Sequence, residues 1–146
     1  FLQYDLTDYD FTSKTGIDTV DNEINGILKD NMPSIAYSMA KYEVQLRNDG
    51  YDDTAVRRKI RARTMQLVGN IKSLVNQKAT KAIGADDIPK VDALLALRNF
   101  TSDQQKSMID DFEKVTGRPP NLNDTNDLRA ILRIGRDSGF TKNLLK

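Results

Sequence analysis

The sequence lacks cysteine, histidine and tryptophan altogether among its 146 residues. Without cysteine there is no disulfide and no thiol nucleophile, and without histidine the commonest general base and zinc ligand are missing. The eight glycines stand singly, so the chain has no glycine-rich phosphate loop. No second member of a catalytic dyad is identifiable among its acidic, lysine, serine and tyrosine residues. We therefore expect a protein that is not an enzyme, with no catalytic residue, no metal site, no cofactor and no small-molecule substrate.

Long apolar runs are also missing, since no stretch approaches the roughly 20 residues that a membrane-spanning helix needs. No basic segment followed by an apolar one marks a signal peptide. We therefore expect an intracellular, cytoplasmic location or one within a larger particle, and no membrane partner. Phe1 instead of methionine at the start predicts a processed product or a fragment of a longer chain. The balance of 38% hydrophobic and 29% charged residues is typical of a globular domain.

Apolar residues recur at helical spacing from Thr15 onward and predict an all-α fold, a compact bundle of about six helices without a sheet. Gly26 weakens the first helix, Pro33 suits the first turn of a second, and Asp53 is placed to cap a long third helix. The first two helices are expected to bury Ile17, Val20, Ile24, Ile27 and Leu28, and then Ile35, Met39, Tyr42 and Leu46. The third is expected to bury Val56, Ile60, Leu67, Ile71, Leu74 and Val75.

Three shorter helices are predicted in the remainder of the chain. Pro89 opens the first of them. A capping box that begins at Ser102 and ends at Gln105 opens the second, and the third starts near Asp124. Gly117 and the prolines after it are expected to end the second helix. The expected buried residues are Val91, Leu94, Leu95 and Leu97, then Met108, Ile109, Phe112 and Val115, and finally Leu128, Ile131 and Leu132.

The composition divides the chain into three predicted parts. Residues 1–14 form an extended arm that differs from everything after it, with four of the ten aromatic residues and three aspartates. A three-helix N-terminal half at 15–84 carries the long basic helix, and a three-helix C-terminal half occupies 85–146. Exposed phenylalanine and tyrosine at such density are unfavourable, so the arm must dock on the body of the protein or on a partner. The residues expected to make that contact are Phe1, Leu2, Tyr4, Leu6, Tyr9 and Phe11.

The formal net charge of +1 hides a strong partition along the chain. Residues 1–53 carry eleven acids and four bases, residues 54–85 carry eight bases and no acid, and residues 86–146 carry ten of each. Cations in the first turns of a helix oppose its dipole by about 0.3–1 kcal/mol each, and like charges four residues apart repel one another. A cluster placed in this way indicates an anionic counterpart. Its members are Arg57, Arg58, Lys59, Arg61 and Arg63.

This basic cluster has two interpretations. In one, the five side chains contact the phosphates of a nucleic acid, which makes binding dependent on salt. In the other, Asp49, Asp52 and Asp53 of the acidic first third neutralise the cluster, within the chain or from a neighbouring copy. The second is favoured, because a pI of about 8.1 is lower than nucleic-acid-binding domains usually have, and no aromatic residue is interleaved along the basic helix.

A second row of cations lies along one face of the last predicted helix, at Arg129, Arg133 and Arg136. In the ordinary interpretation the arginine stems cover the adjacent apolar face while their heads pair with acids. In the other, their guanidinium groups bind an anion, a nucleic acid or a carboxylate on a partner.

Together these features predict a non-enzymatic structural or interaction module. We expect it to be assembled into a larger complex, such as a virus particle, through its arm and its basic helix. The expected partners are other protein subunits, including copies of itself. The alternative is a nucleic-acid-binding protein that contacts phosphates through the basic cluster, supported by the arginine row of the last helix.

Overall fold

Residues 3–144 are described by the computed structural model, and they confirm the predicted all-α class. Within these residues the regular structure consists of five α-helices and one short 3₁₀ helix, without a strand. None of these described helices combines the length and the apolarity needed to cross a membrane. The helices are α1 (Asp18–Asn48), α2 (Asp53–Lys81), α3 (Lys90–Arg98), α4 (Ser102–Thr116) and α5 (Thr125–Asp137), followed by the 3₁₀ helix Phe140–Asn143.

The two helices predicted on either side of Pro33 are one continuous helix, α1, so residues 3–144 hold five α-helices where about six were expected. A proline inside a helix removes one backbone hydrogen bond and usually interrupts the helix. Here the buried stripe crosses the proline without a change of register, because Leu28 and Ile35 are both buried and lie seven residues apart. Packing of this apolar face outweighs the local cost of the proline.

The buried face of α2 follows the prediction only in its first half. Val56 and Ile60 are fully buried, and the face continues through Thr64 and Val68, whereas Leu74 is 64% exposed. The buried Thr64 is satisfied because its hydroxyl donates to the Ile60 carbonyl oxygen at 2.8 Å. Each step of four residues turns the buried face by about 40° around the helix, so the face has moved away from Leu74 by the time the chain reaches it. The predicted burial of Leu74 is therefore wrong.

Helix α4 has the predicted kind of cap, shifted by one residue. Thr101, and not Ser102, is the N-cap: its hydroxyl oxygen accepts a hydrogen bond from the Gln104 backbone N–H at 3.1 Å. The Gln104 side-chain oxygen in turn accepts one from the Thr101 N–H at 3.0 Å, which completes a capping box. Val115, predicted to be buried, is 83% exposed because it lies on the final turn, beyond the packed part of the helix and just before Gly117 ends it.

The described chain forms two compact units that divide within α2, between Ser73 and Leu74. The predicted division at 84–87 coincides instead with the loop that follows α2. In the second unit, α5 contacts α3, α4 and the 3₁₀ helix, which makes it the central element of that unit. Its predicted core residues are at most 1% exposed: Leu128, Ile131 and Leu132.

In the first unit the arm lies along α1 and runs antiparallel to it. The Tyr4 backbone N–H donates to the Ala36 carbonyl oxygen at 3.0 Å, and the Ser13 N–H donates to Asn25 Oδ1 at 2.7 Å. The Ser13 hydroxyl also donates to the Asp21 carboxylate at 2.9 Å, close to the point where the arm joins the helix. The arm was expected to dock either on the body of the protein or on a partner. In the structure it docks on the body of its own chain.

Candidate functional site

The basic cluster lies in the first turns of α2, within the first unit. Its four arginines are exposed and Lys59 is half-buried. The helix is capped by Asp52 and not by the predicted Asp53, because the Asp52 carboxylate accepts a hydrogen bond from the Ala55 backbone N–H at 2.8 Å. The cluster therefore follows directly on an acidic cap, at the end of the helix where its dipole disfavours cations.

The helix divides the basic cluster between its two sides. Because an α-helix turns by about 100° per residue, the cations of the basic cluster project to both sides of the buried Ile60. One side faces the arm and the other faces the C-terminal half of α1, where a pocket is lined by Tyr42 and Arg63. The structure therefore brings together only three of the five predicted cations at one place. These groove arginines are Arg57, Arg58 and Arg61, while Lys59 and Arg63 lie on the other side.

No carboxylate of residues 3–144 lies within 4.0 Å of a charged nitrogen of the basic cluster. Two of the nearby acids are paired elsewhere, since Glu43 and Asp53 both bind Arg47, at 3.3 and 2.6 Å. Hydrogen bonds from the Arg47 guanidinium lower the pKa of Asp53, and the two carboxylates raise the pKa of Arg47. Among the described residues, the expected neutralisation of the cluster is thus not achieved by direct ion pairs.

Tyrosine rings, and not carboxylates, contact the basic cluster. Three of its cations lie over a ring at cation–π distance, and each ring comes from a different part of the first unit. No sequence pattern signals these contacts, because the rings come from the arm, from α1 and from the turn after α1, none of them from the basic helix itself. The pairs are Arg61 with Tyr9 (5.5 Å to the ring centroid), Arg63 with Tyr42 (5.6 Å) and Lys59 with Tyr51 (4.7 Å).

A groove of about 690 Å³ runs between the arm, the C-terminal end of α1 and the groove arginines. We call it the basic groove. Its charged lining consists of Arg47 and the three groove arginines on one hand, and of Asp5, Asp8 and Glu43 on the other. Tyr4 and Tyr9 complete it from the arm. The groove is thus lined by four cations and three anions, of which two anions belong to the arm.

Tyr4 is a hydrogen-bond donor in this groove at neutral pH. Burial raises the pKa of its hydroxyl, and the neighbouring Tyr9 and Glu43 act in the same direction, while Arg57 acts against them. The hydroxyl therefore keeps its proton across the physiological range. A protonated phenol is neutral, so Tyr4 adds no charge to the four cations and three anions of the groove.

The apolar residues of the arm rest on α1 without being fully buried. Cavities of about 540 and 240 Å³ lie between the arm and α1, and Met32 lines both of them. Two of the predicted anchors, Phe1 and Leu2, lie outside the described residues. The four described anchors are all half-buried: Tyr4, Leu6, Tyr9 and Phe11.

The arginine row of α5 is bound to the loop between α2 and α3, within the second unit. Each of its three side chains contacts a different residue of the segment 84–88. The contacts are Arg129 Nε and Nη2 with the Ile88 carbonyl oxygen at 3.3 and 3.2 Å, Arg133 with the Asp86 carboxylate, and Arg136 Nη1 with the Gly84 carbonyl oxygen at 3.4 Å. Arg136 also pairs with Asp137 at 3.4 Å, so each arginine of the row has an acceptor within its own unit, although Arg133 and Arg136 remain exposed.

A further arginine of the second unit forms an ion pair that sequence reasoning missed. Arg118 donates two hydrogen bonds to the Asp127 carboxylate, at 2.8 and 2.9 Å, and the Asn121 backbone N–H donates a third at 2.8 Å. Asp127 is 5% exposed, and the Arg118 guanidinium followed by the Asn121 N–H lowers its pKa to about 2. The only signal in the sequence is the place of Asp127 in the first turn of a helix, where acids are favoured.

Within residues 3–144, no group of three or more acidic side chains is arranged to hold a metal ion. The feature that stands out is the basic groove, with exposed arginines that have no carboxylate partner among the described residues. The chain matches no protein-family model, no curated protein and no solved structure.

Proposed function

We propose that this protein is a non-enzymatic interaction module that enters a larger assembly through the basic groove and the arm beside it. The observation that carries this proposal is the set of groove arginines, which are exposed and lie within 4.0 Å of no described carboxylate. Arg57 and Arg61 also lie one turn apart on α2, where like charges repel each other. An anionic surface brought by a partner would relieve that repulsion and bind the exposed guanidinium groups.

The partner that we propose is an acidic surface on another protein subunit, including a second copy of this chain. Residues 1–53 hold eleven acids against four bases, so a second copy offers complementary charge. Arginine and tyrosine are enriched at the centres of protein interfaces, where they combine large contact area with hydrogen bonding. The groove and its surroundings supply both residue types, including Tyr51, whose side chain remains 43% exposed beside Lys59.

Sedimentation of the full chain over a dilution series at low and at high salt tests this assembly. We expect a mass above that of the monomer at low salt, falling as salt screens the contact. The variant Arg57→Ala/Arg58→Ala should shift the equilibrium toward monomer. The control Lys78→Ala/Lys81→Ala removes the same charge from two exposed positions at the far end of α2 and should behave like the wild type. A monomer at every concentration and salt contradicts self-assembly.

A nucleic-acid-binding function is the second candidate, and the tyrosine rings beside the basic cluster favour it. Proteins that bind single strands combine a cationic groove with aromatic rings on which bases stack, and Tyr9 lies in the groove beside Arg61. A gel-shift titration at two salt concentrations tests it. Affinity should fall steeply as salt rises, because phosphate contacts release counterions. Absence of binding at low salt contradicts this candidate.

A further inference from the structure

We infer that a second pocket of the first unit, between α1 and α2, binds a small organic phosphate monoester. It is lined by residues between 38 and 45 of α1 and by Arg63 and Leu67 of α2, and we call it the α1–α2 pocket. Its volume of about 310 Å³ lies near the lower end of the range of about 300–1,000 Å³ that small-molecule sites have. It shares no lining residue with the basic groove, so the inference does not depend on the proposed function.

The charge of the α1–α2 pocket is positive and unopposed. Lys41 of α1 and Arg63 of α2 both line it, and no acidic residue does so in the part of the chain that the structure describes. The sequence explains this, because residues 31–42 and 54–85 contain no aspartate or glutamate. Glu43, the next acid along α1, lines the basic groove instead and is already part of an ion pair there. The pocket therefore carries two positive charges, whereas the basic groove has three carboxylates among its four arginines.

Tyrosine rings, and not carboxylates, hold both cations in place. Lys41 Nζ lies 4.6 Å from the centroid of the Tyr37 ring, and the Arg63 guanidinium lies 5.6 Å from that of the Tyr42 ring. Within residues 3–144, no carboxylate lies within 4.0 Å of a charged nitrogen of either cation. A cation–π contact restricts a side chain without neutralising its charge. The two cations are thus positioned, and their N–H groups remain available to an anion.

Neutral donors and an apolar surface complete the α1–α2 pocket. Ser38, Tyr42 and Gln45 lie on one face of α1, because they are spaced four and three residues apart. Their hydroxyl and amide groups can donate to an anionic oxygen without changing the charge of the site. Met39, which is buried, and Leu67, which is half-buried, supply apolar surface beside them. A few polar groups on an apolar surface are typical of a site for a small organic molecule.

Two positive charges together with several neutral donors favour a phosphate monoester over other anions. A phosphate monoester carries nearly two negative charges at pH 7 and offers three terminal oxygens. A carboxylate has one charge and two oxygens, and a phosphodiester has one charge and substituents on two of its oxygens. The planar fork of Arg63 can match two phosphate oxygens, while the Lys41 ammonium acts as a point charge. The apolar surface is left for the organic substituent.

The test is a titration of the isotope-labelled full chain with phenyl phosphate, followed by heteronuclear NMR at low salt. We expect the backbone amide signals of residues 38–45 and 63–67 to shift and to saturate. Benzoate and diphenyl phosphate, which carry one negative charge each, are the comparison ligands and should bind at least about 5-fold more weakly. If benzoate binds as tightly as phenyl phosphate, the assignment to a phosphate monoester is overturned.

Variants of the two cations locate the site, and their own spectra show that each protein is folded. Arg63→Gln and Lys41→Gln should each weaken the binding of phenyl phosphate about 10-fold, the effect of losing one charge-assisted hydrogen bond. The control Lys78→Gln removes one charge from an exposed position near the far end of α2 and should bind like the wild type. If Arg57→Ala/Arg58→Ala weakens binding and Arg63→Gln does not, the anion occupies the basic groove and the inference is overturned. Absence of any shift at the pocket amides overturns it as well, and leaves the sedimentation and gel-shift tests of the proposed function unaffected.

Discussion

The three arginines of the α5 row and the three groove arginines of α2 have opposite surroundings. The α5 row (Arg129, Arg133 and Arg136) donates to two carbonyl oxygens and one carboxylate of the loop at 84–88. The groove arginines of α2 have no carboxylate within 4.0 Å among residues 3–144 and border an open groove. The first group completes the fold of its unit, and the second leaves its donors available to a partner.

The spacing of cations along a helix therefore predicts where they project, but not whether the chain supplies their acceptors. For the α5 row the acceptors are mainly backbone carbonyls, 41 and 52 residues earlier in the sequence. Every residue has such a carbonyl, so no residue type marks it in advance. An arginine cluster is a candidate binding site only after the loops that fold onto it are known.

The largest contrast is expected when each arginine group is replaced by glutamine. Replacing the whole α5 row should lower the free energy of unfolding by about 2–3 kcal/mol, because three loop contacts are lost at about 0.5–1.5 kcal/mol each. Replacing the three groove arginines should change it by less than about 0.5 kcal/mol, as is usual for surface substitutions. Urea unfolding of the two triple variants measures both values, and equal losses would remove the distinction between the groups.

A smaller effect is expected from the glycine that the α5 row requires. Gly84 has φ of +89°, a backbone conformation that residues with a Cβ rarely adopt, and the exposed Arg136 side chain would have to shift to admit a Cβ. Gly84→Ala should therefore destabilise the protein by about 1–2 kcal/mol. Gly69→Ala is the control: Gly69 lies in α2 with open space around its Cα, so alanine should stabilise by about 0.5–1 kcal/mol. If both substitutions changed the stability in the same direction, the positive φ of Gly84 would not be what limits this position.

The ion pair between the exposed Arg118 and the buried Asp127 gives the second unit a dependence on acid. The pKa of Asp127 is about 2 in the folded protein, below its ordinary value of 3.8. The unfolded chain binds this proton more readily, so the stabilisation is complete above about pH 4 and is lost as the pH falls toward 2. Asp127→Asn should lower the melting temperature by roughly 5–10 °C at neutral pH and by much less near pH 2. A constant difference across that range would show that the carboxylate charge is not involved.

The smallest effect concerns the groove arginines themselves, and it has the opposite sign. Arg57→Ala/Arg58→Ala relieves the repulsion between Arg57 and Arg61, one helical turn apart, and should raise the free energy of unfolding by about 0.3 kcal/mol. Lys78→Ala/Lys81→Ala removes two cations from the last turn, where they complement the dipole, and should lower it slightly. Chemical denaturation at low salt resolves the two signs. A loss of stability in the first variant would mean that the groove arginines serve the fold.

Local signals in the sequence predicted most of the helix boundaries. Asp124 was expected to begin the last helix, and its carboxylate accepts a hydrogen bond from the Asn126 backbone N–H at 2.9 Å. Gly117 was expected to end α4, and it does so with φ of +73°. Such caps depend on neighbours within a few residues, so the sequence contains them in full.

What depends on distant contacts was not predictable in the same way. The helix continues through Pro33 because packing on both sides outweighs a local rule. The basic cluster was found from the sequence, but its division into two sides and its tyrosine partners were not. Tyr9, Tyr42 and Tyr51 lie in three other segments: the arm, α1 and the turn after α1. Only the folded chain brings their rings to the basic cluster.

We expect the groove arginines, and not the α5 row, to accept an external anion. Melting temperatures measured with and without excess oligothymidylate or polyglutamate test it most directly, because any ligand of the native state raises the melting temperature. We predict a rise for the wild type, the same rise from a lower starting point when the α5 row is replaced by glutamine, and no rise when the groove arginines are replaced. An equal rise in the groove variant, or no rise with either polyanion in the wild type, would contradict the account.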